Sequence, residues 1–278
     1  MVPVEQMSNS NGNLVNVSPL LELLRAAIWT GILADDDPVS VVLIAPQESA
    51  KTEMLKYFRG TRSLEFFSDL TSYGIYEFKS EIENEKLRHI VILDLVRIMS
   101  HPRTTSERTI QTIASLIEDG QMTVADGGGV SWRNEKLVLP RIGSLMGVTP
   151  EIYYRKRKMF RDTGFMSRFL PVRYTFSDST AKQVHFAIRN GNKKPEPHPL
   201  ILPEKRMKAV IPDKIAKLVQ NSAYDLGHQE STWGFRWHRS LRALIKAHAI
   251  SENRFNVEES DYIKLCQWFE FFKGVVEL

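Results

Sequence analysis

Apolar residues recur at helical spacing through Leu20, Leu21, Leu23, Leu24, Ala27 and Ile28. Ser18-Pro19 opens that segment and Asp35-Asp36-Asp37-Pro38 closes it, which predicts an early helix. Val39–Ala45 follows as a nearly unbroken apolar run, the pattern of a strand covered on both faces. Helical spacing resumes over Ala50–Phe58 through Met54, Leu55 and Phe58, and a second apolar run, Ile90–Leu93, ends at Asp94. Between the two runs, Tyr73–Phe78 reads as a weaker strand with Gly74 at a turn. Ser106–Ile117 is amphipathic, with Ile110, Ile113, Ala114 and Ile117 on one face. Met122–Leu139 reads as a hairpin around Gly127-Gly128-Gly129, and Ile142–Val148 and Leu170–Phe176 as further strands.

Strands separated by helices predict an α/β layer with a mainly parallel sheet. The character of the chain changes after Ser177. Residues 190–204 carry Pro195, Pro197, Pro199 and Pro203 and read as a linker or exposed loop. Helical spacing returns from Ala209, through Ile215, Leu218 and Val219, then Leu241, Leu244, Ile245 and Ala249, then Tyr262, Leu265, Cys266, Phe269 and Phe272. The expected organisation is a flexible arm over 1–16, an α/β core over 17–189, a linker over 190–208 and a small α-helical lid over 209–278. A chain of 278 residues, 42% hydrophobic and 25% charged, has the composition of a globular protein and is neither fibrous nor disordered throughout. No run approaches the ~18 apolar residues of a spanning helix, and Met1–Asn16 lacks the regions of a secretory signal. No membrane is expected. Cys266 stands alone, which fits a reducing, cytoplasmic setting and removes any cysteine-based metal site. A net charge of +4 permits a nucleic-acid partner without identifying one.

The chemistry concentrates in Ala45-Pro-Gln-Glu-Ser-Ala-Lys-Thr52, which lies between a buried strand and a helix. This is the position of a phosphate-cradling loop, usually G-x-x-x-x-G-K-[ST]. There the backbone N–H groups of a helix start meet phosphate, the lysine reaches the outer phosphates and the hydroxyl ligates magnesium. Lys51 and Thr52 hold the required places, while Ala45 and Ala50 replace the two glycines. The same residues also fit an ordinary helix start. Asp94, closing the second apolar strand, stands where a second magnesium-binding group belongs; it also fits a plain cap of the next turn.

Ile44–Phe58, IAPQESAKTEMLKYF, resembles the phosphate loop of the minichromosome maintenance (MCM) helicases in the AAA+ superfamily, G-D-P-G-x-A-K-S followed by x-x-L-L-K-Y. Further segments resemble that family in order. Leu70–Glu77 is similar to a shortened helix-2 insertion, Ile92–Met99 to the Walker B segment, Leu116–Val124 to the stretch entering the pre-sensor hairpin, and Ser144–Pro150 to the sensor strand. Phe165–Phe169 resembles L-L-S-R-F-D, and Arg239–Ala249, with Arg254, Val257 and Asp261, resembles the lid helix that opens on the second sensor arginine. The resemblance implies a P-loop AAA+ core with a helical lid. It implies ATP held by Ala45, Glu48, Ser49, Ala50, Lys51, Thr52 and Asp94, and Mg2+ held by Thr52 and Asp94. Thr149 would be the sensor, and Arg168 and Arg239 would act on a neighbouring subunit's nucleotide. It also implies a homo-oligomeric ring or a mixed AAA+ assembly working on DNA in replication. The small size suggests a virus or mobile-element version in a prokaryotic host.

The departures bear on turnover. Leu95 replaces the glutamate that orients water, and leucine neither accepts a proton nor polarises water. Thr149 replaces the sensor asparagine, and Glu48 puts negative charge beside the phosphate path. Glu118 is a conceivable substitute base, or an ordinary helix-end charge. No separate DNA-binding domain is expected before the core. Arg155-Lys-Arg-Lys158 with Arg161, interleaved with Tyr153, Tyr154 and Phe160, reads either as a DNA contact, with Arg133 from the hairpin, or as a solvated or subunit-facing surface. Trp233, Phe235 and Trp237 alternate as buried positions do, and His89 and His248 read as structural. Two functions compete: an ATP-driven DNA motor or helicase with atypical hydrolysis, and an inactive AAA+ scaffold or loader subunit.

Overall fold

The computed structural model describes residues 14–125 and 134–278. The early helix is α1 (Ser18–Trp29), followed by a 3-10 turn, β1 (Val41–Ile44), α2 (Lys51–Lys56) and β2 (Leu64–Phe67). Two short helices, α3 (Ser72–Tyr76) and α4 (Lys79–Glu83), lead into β3 (His89–Ile92), α5 (Leu95–Ser100) and α6 (Arg103–Asp119). A hairpin of β4 (Gln121–Ala125) and β5 (Asn134–Val138) precedes β6 (Gly143–Val148), α7 (Pro150–Arg155), α8 (Arg157–Asp162), β7 (Leu170–Thr175) and α9 (Asp178–Arg189). The chain closes with α10 (Asp213–Gln229), α11 (Phe235–Ser251), α12 (Glu259–Lys273) and β8 (Val276–Glu277).

The main sheet has the order β2-β3-β6-β1-β7-β8, with every pairing parallel. β1 is central, with Ile44 opposite Val148 of β6 and Arg173 of β7. Side chains alternate across a strand, so β1 serves two cores. Val41 and Leu43 pack with α1 and the three C-terminal helices, while Val42 and Ile44 pack with α6 and its neighbours. The result is three layers, with helices on both faces of a parallel sheet.

The acidic run that ends the first helical stretch ties separate elements together. Asp36 pairs with Lys246 at 2.6 Å and Arg242 at 3.3 Å on α11, Asp35 pairs with Lys208, and Asp37 with Arg141. Residues 190–204 form no helix or strand but lie along the body. His198 N–H donates to the Tyr57 carbonyl, Leu200 N–H to Thr61 Oγ1, and Arg88 to the Glu204 carbonyl. Leu14 is buried and Asn16 donates to Thr180 Oγ1, so these two residues belong to the packed body and not to a free arm.

Two expectations need correction. Tyr73–Phe78 is not a strand: Thr71 Oγ1 accepts the Gly74 N–H as the cap of α3, and local capping overrides the aromatic, β-favouring composition. The strand of this region is β2, whose burial falls off after Leu64. Trp233 and Phe235 are not core residues, being 77% and 74% exposed, and only Trp237 is buried. The glycine tip of the hairpin lies outside the described residues.

His89 is fully buried at the start of β3. Its ring occupies space left by two glycines: a Cβ on Gly31 would meet the ring at 3.0 Å, and one on Gly143 would overlap it. Burial pulls the imidazole pKa from 6.5 to about 4. The unfolded chain therefore takes up a proton that the folded one refuses. This contribution to stability is complete above pH 6.5 and is lost as the pH falls toward 4. Urea unfolding should show stability falling by up to about 3 kcal/mol across that window, and His89→Asn should flatten the slope.

Candidate nucleotide site

Parallel strands deliver their carboxyl ends to one rim, where ligands of open α/β sheets bind. β1 ends in the loop 45–50, β3 ends at Leu93-Asp94, and β6, lying between them, ends at Thr149. Ala45 N–H donates to the Val148 carbonyl at 3.3 Å, tying the loop to β6. The Lys51 stem crosses β6 at Gly147, where even a Cβ would make only ordinary contact with Lys51 Cβ and the Leu93 carbonyl at 3.5 Å.

The loop takes left-handed turns without glycine. Glu48 (φ 59°) and Ala50 (φ 62°) both hold left-handed conformations, each costing about 1–2 kcal/mol for an L-residue. Alternating hand along such a loop turns successive N–H groups inward, and the first N–H groups of α2 have no partner within the helix. Lys51 Nζ donates to the Ala45 carbonyl at 2.6 Å, to the Pro46 carbonyl and to Ser49 Oγ at 3.2 Å. Burial lowers the Lys51 ammonium pKa to about 8, against the opposing charges of Glu151 and Asp94. Both carboxylates thus lie within electrostatic range of the lysine, and neither forms an ion pair with it. Asp94 is exposed and caps α5 through Oδ1, which accepts the Val96 N–H at 3.0 Å. Thr149 is the N-cap residue of α7, and its side chain makes no capping bond.

Two features here escape the sequence reading. Glu151, in the first turn of α7, is close enough for its charge to act on Lys51. Tyr174, buried on β7, donates from Oη to the Ser49 carbonyl at 2.8 Å and so anchors the loop from a third strand. Burial raises its pKa, which keeps it a donor. Leu95, where an acid would be expected, is 0% exposed in the core beneath α5.

Arg168 and Arg239 sit elsewhere. Leu170, two residues after Arg168, bonds through its N–H to the Ser40 carbonyl, just before β1 begins. Arg168 therefore lies at the opposite end of the sheet from Lys51. Its guanidinium donates to the Gly164 carbonyl and pairs with Glu118 at 3.6 Å. Arg239 at 3.8 Å and Arg236 at 3.4 Å converge on the same Glu118, and Arg236 donates to Ser167 Oγ at 2.6 Å. Glu118 thus partners three arginines and cannot serve as a base beside Lys51 of its own chain. These residues line a groove of about 850 Å³ that holds seven arginines against three carboxylates, with Trp233 and Phe235 on its wall.

The basic cluster occupies the α7–α8 junction. Arg155, Arg157 and Lys158 are exposed and Lys156 is half-buried, with Arg157 reaching the groove. Of the interleaved aromatics, Phe160 is buried, Tyr153 half-buried and only Tyr154 exposed. Arg133 lies outside the described residues. Among the described residues no group of three or more His, Cys, Asp or Glu side chains is placed to hold a metal, and no helix is long and apolar enough to cross a membrane.

Tyr174→Phe removes one buried donor to the loop. It should lower stability by about 1 kcal/mol in chemical unfolding, whereas Ala50→Gly, which relieves a left-handed alanine, should raise the melting temperature.

No family model matches the chain, and no curated protein matches it. Solved structures do match in shape. One is the crystal structure of a full-length MCM homolog from Methanopyrus kandleri, 12% identical, with a TM-score of 0.56. The match covers 96% of this chain and 57% of that one. The chain spans little more than half the length of that homolog, and the likeness is one of fold: a core of parallel strands flanked by helices.

Proposed function

We propose that the chain binds ATP with Mg2+ through the loop 45–52 and works on DNA as a subunit of an MCM-like AAA+ assembly with atypical hydrolysis. The observation that carries this reading is the state of Lys51. Its half-buried ammonium is held by carbonyls of its own loop, with no carboxylate ion pair, at the rim where Asp94 and Glu151 also lie. A cation so placed fits a triphosphate, which would replace the carbonyls as its partner.

Ala45, Glu48, Ser49 and Ala50 would contribute backbone, Lys51 charge and Thr52 its hydroxyl. Magnesium keeps most of its water and takes few protein ligands beside phosphate oxygens, so Thr52 and Asp94 suffice without a larger acidic cluster. The exposed, negatively charged Glu48 would turn outward from the phosphates.

The arginine groove supports an oligomer. Arg168 and Arg239 cannot reach the Lys51 of their own chain, and an arginine finger acts from a neighbour. In the isolated chain Glu118 occupies them, and a neighbour's triphosphate would compete for the same guanidinium groups. Arg155, Lys156, Arg157 and Lys158 would contact DNA phosphates, with Tyr154 available for stacking. The buried Leu95 favours a second reading, a scaffold or loader subunit that binds nucleotide without turnover.

Equilibrium binding of Mg-ATP should weaken at least tenfold in Lys51→Ala. Sedimentation should show nucleotide-promoted association that Arg168→Ala reduces; a monomer under every condition would remove the trans site. Replacing Arg155–Lys158 with alanine should lower single-stranded DNA affinity and flatten its salt dependence by about 0.7 in log–log slope per lost phosphate contact. An unchanged slope would reassign the cluster to the protein surface.

A further inference from the structure

We infer that Glu151 is the catalytic carboxylate of this site, the group that orients the attacking water. This rests on the nucleotide reading above and deepens it. Triphosphate hydrolysis needs an acceptor that aligns water with the outer phosphorus, because the protein contributes mainly position and charge to phosphoryl transfer. Of the two carboxylates on this rim, Asp94 already has one oxygen committed to the Val96 N–H, and the residue after it, Leu95, is apolar and buried. Glu151 is exposed and makes no hydrogen bond or ion pair among the described residues.

Its position follows from the sheet. Val148 is opposite Ile44, the last residue of β1, and Met146 is opposite Ile92, the last residue of β3. The chain leaving β6 must therefore emerge between the phosphate loop and Asp94. Thr149 and Pro150 then start α7 and set Glu151 in its first turn. Glu118, the other acid near a sensor element, is held by arginines at the far end of the sheet.

The step balances as a hydrolysis. The water oxygen bonds to the γ-phosphorus as the bond from that phosphorus to the β–γ bridging oxygen breaks. The electron pair leaves with the ADP oxygen, and one water proton passes to the Glu151 carboxylate and then to solvent.

The test uses the full chain with Mg-ATP, measuring equilibrium binding and single-turnover hydrolysis in the unaltered protein, Glu151→Gln, Glu151→Asp and Lys51→Ala. Glu151→Gln should bind ATP within about threefold of the unaltered protein, yet turn over at least ~100-fold more slowly, so that intact ATP is recovered from the complex. Glu151→Asp, which keeps the charge on a shorter arm, should fall between. Turnover by Glu151→Gln within threefold of the unaltered protein would overturn the assignment, as would ATP binding by the unaltered protein with no turnover above Lys51→Ala. In both cases the nucleotide site itself would stand. Absence of ATP binding by the unaltered protein would overturn both readings.

Discussion

Backbone hydrogen bonding around β1 constrains everything the protein can do with a ligand. With β6 on one side, β7 on the other and β3 beyond β6, all parallel, the chain brings three loops to one rim and has no freedom to separate them. Lys51 follows from β1, Asp94 from β3, Thr149 and Glu151 from β6, and β7 contributes Tyr174 as a brace beneath the loop. These residues meet because strand order and register leave them nowhere else to go. The strained conformations at Glu48 and Ala50 persist for the same reason: strands and helices on either side over-determine the path of the loop.

The same ladder divides the chemistry. Arg168 precedes β7 and so belongs to the amino-terminal rim, at the opposite end of the sheet from Lys51. There it meets Arg236 and Arg239 of α11 around Glu118. The arrangement gives one chain a loop carrying Lys51 at one end and an arginine-lined groove at the other. A carboxylate shared by three guanidinium groups keeps those arginines ordered while no other anion is present. A partly buried Arg–Glu cluster contributes little net stability, because desolvation offsets the Coulombic gain.

Much of the rim is legible in the sequence. Val39–Ala45 and Ile90–Asp94 are short apolar runs ended by polar residues, and such runs have few alternatives to a buried strand; Lys51, Thr52 and Asp94 follow directly from them. What stays hidden is what depends on tertiary order. Glu151 sits in an unremarkable helix start, and nothing local says that this turn comes near a lysine a hundred residues earlier in the chain. Tyr174 reads as one more core aromatic until its hydroxyl is seen against Ser49. Glu118 and its arginines come from α6, the turn before β7 and α11, which no pattern connects. Local signals misled twice: at α3, where a threonine cap outweighs aromatic residues, and at Trp233 and Phe235, whose alternation suggests burial although both face solvent.

The central claim is that one polyanion is shared by the loop 45–52, Lys51 and Asp94. A crystal structure with Mg2+ and a non-hydrolysable ATP analogue tests it most directly. The account predicts phosphate oxygens against the loop N–H groups, Lys51 Nζ moved from the Ala45 carbonyl onto phosphate, and the metal between Thr52 and Asp94. Nucleotide bound at another surface, with Lys51 still closed on Ala45 and Pro46, would contradict it.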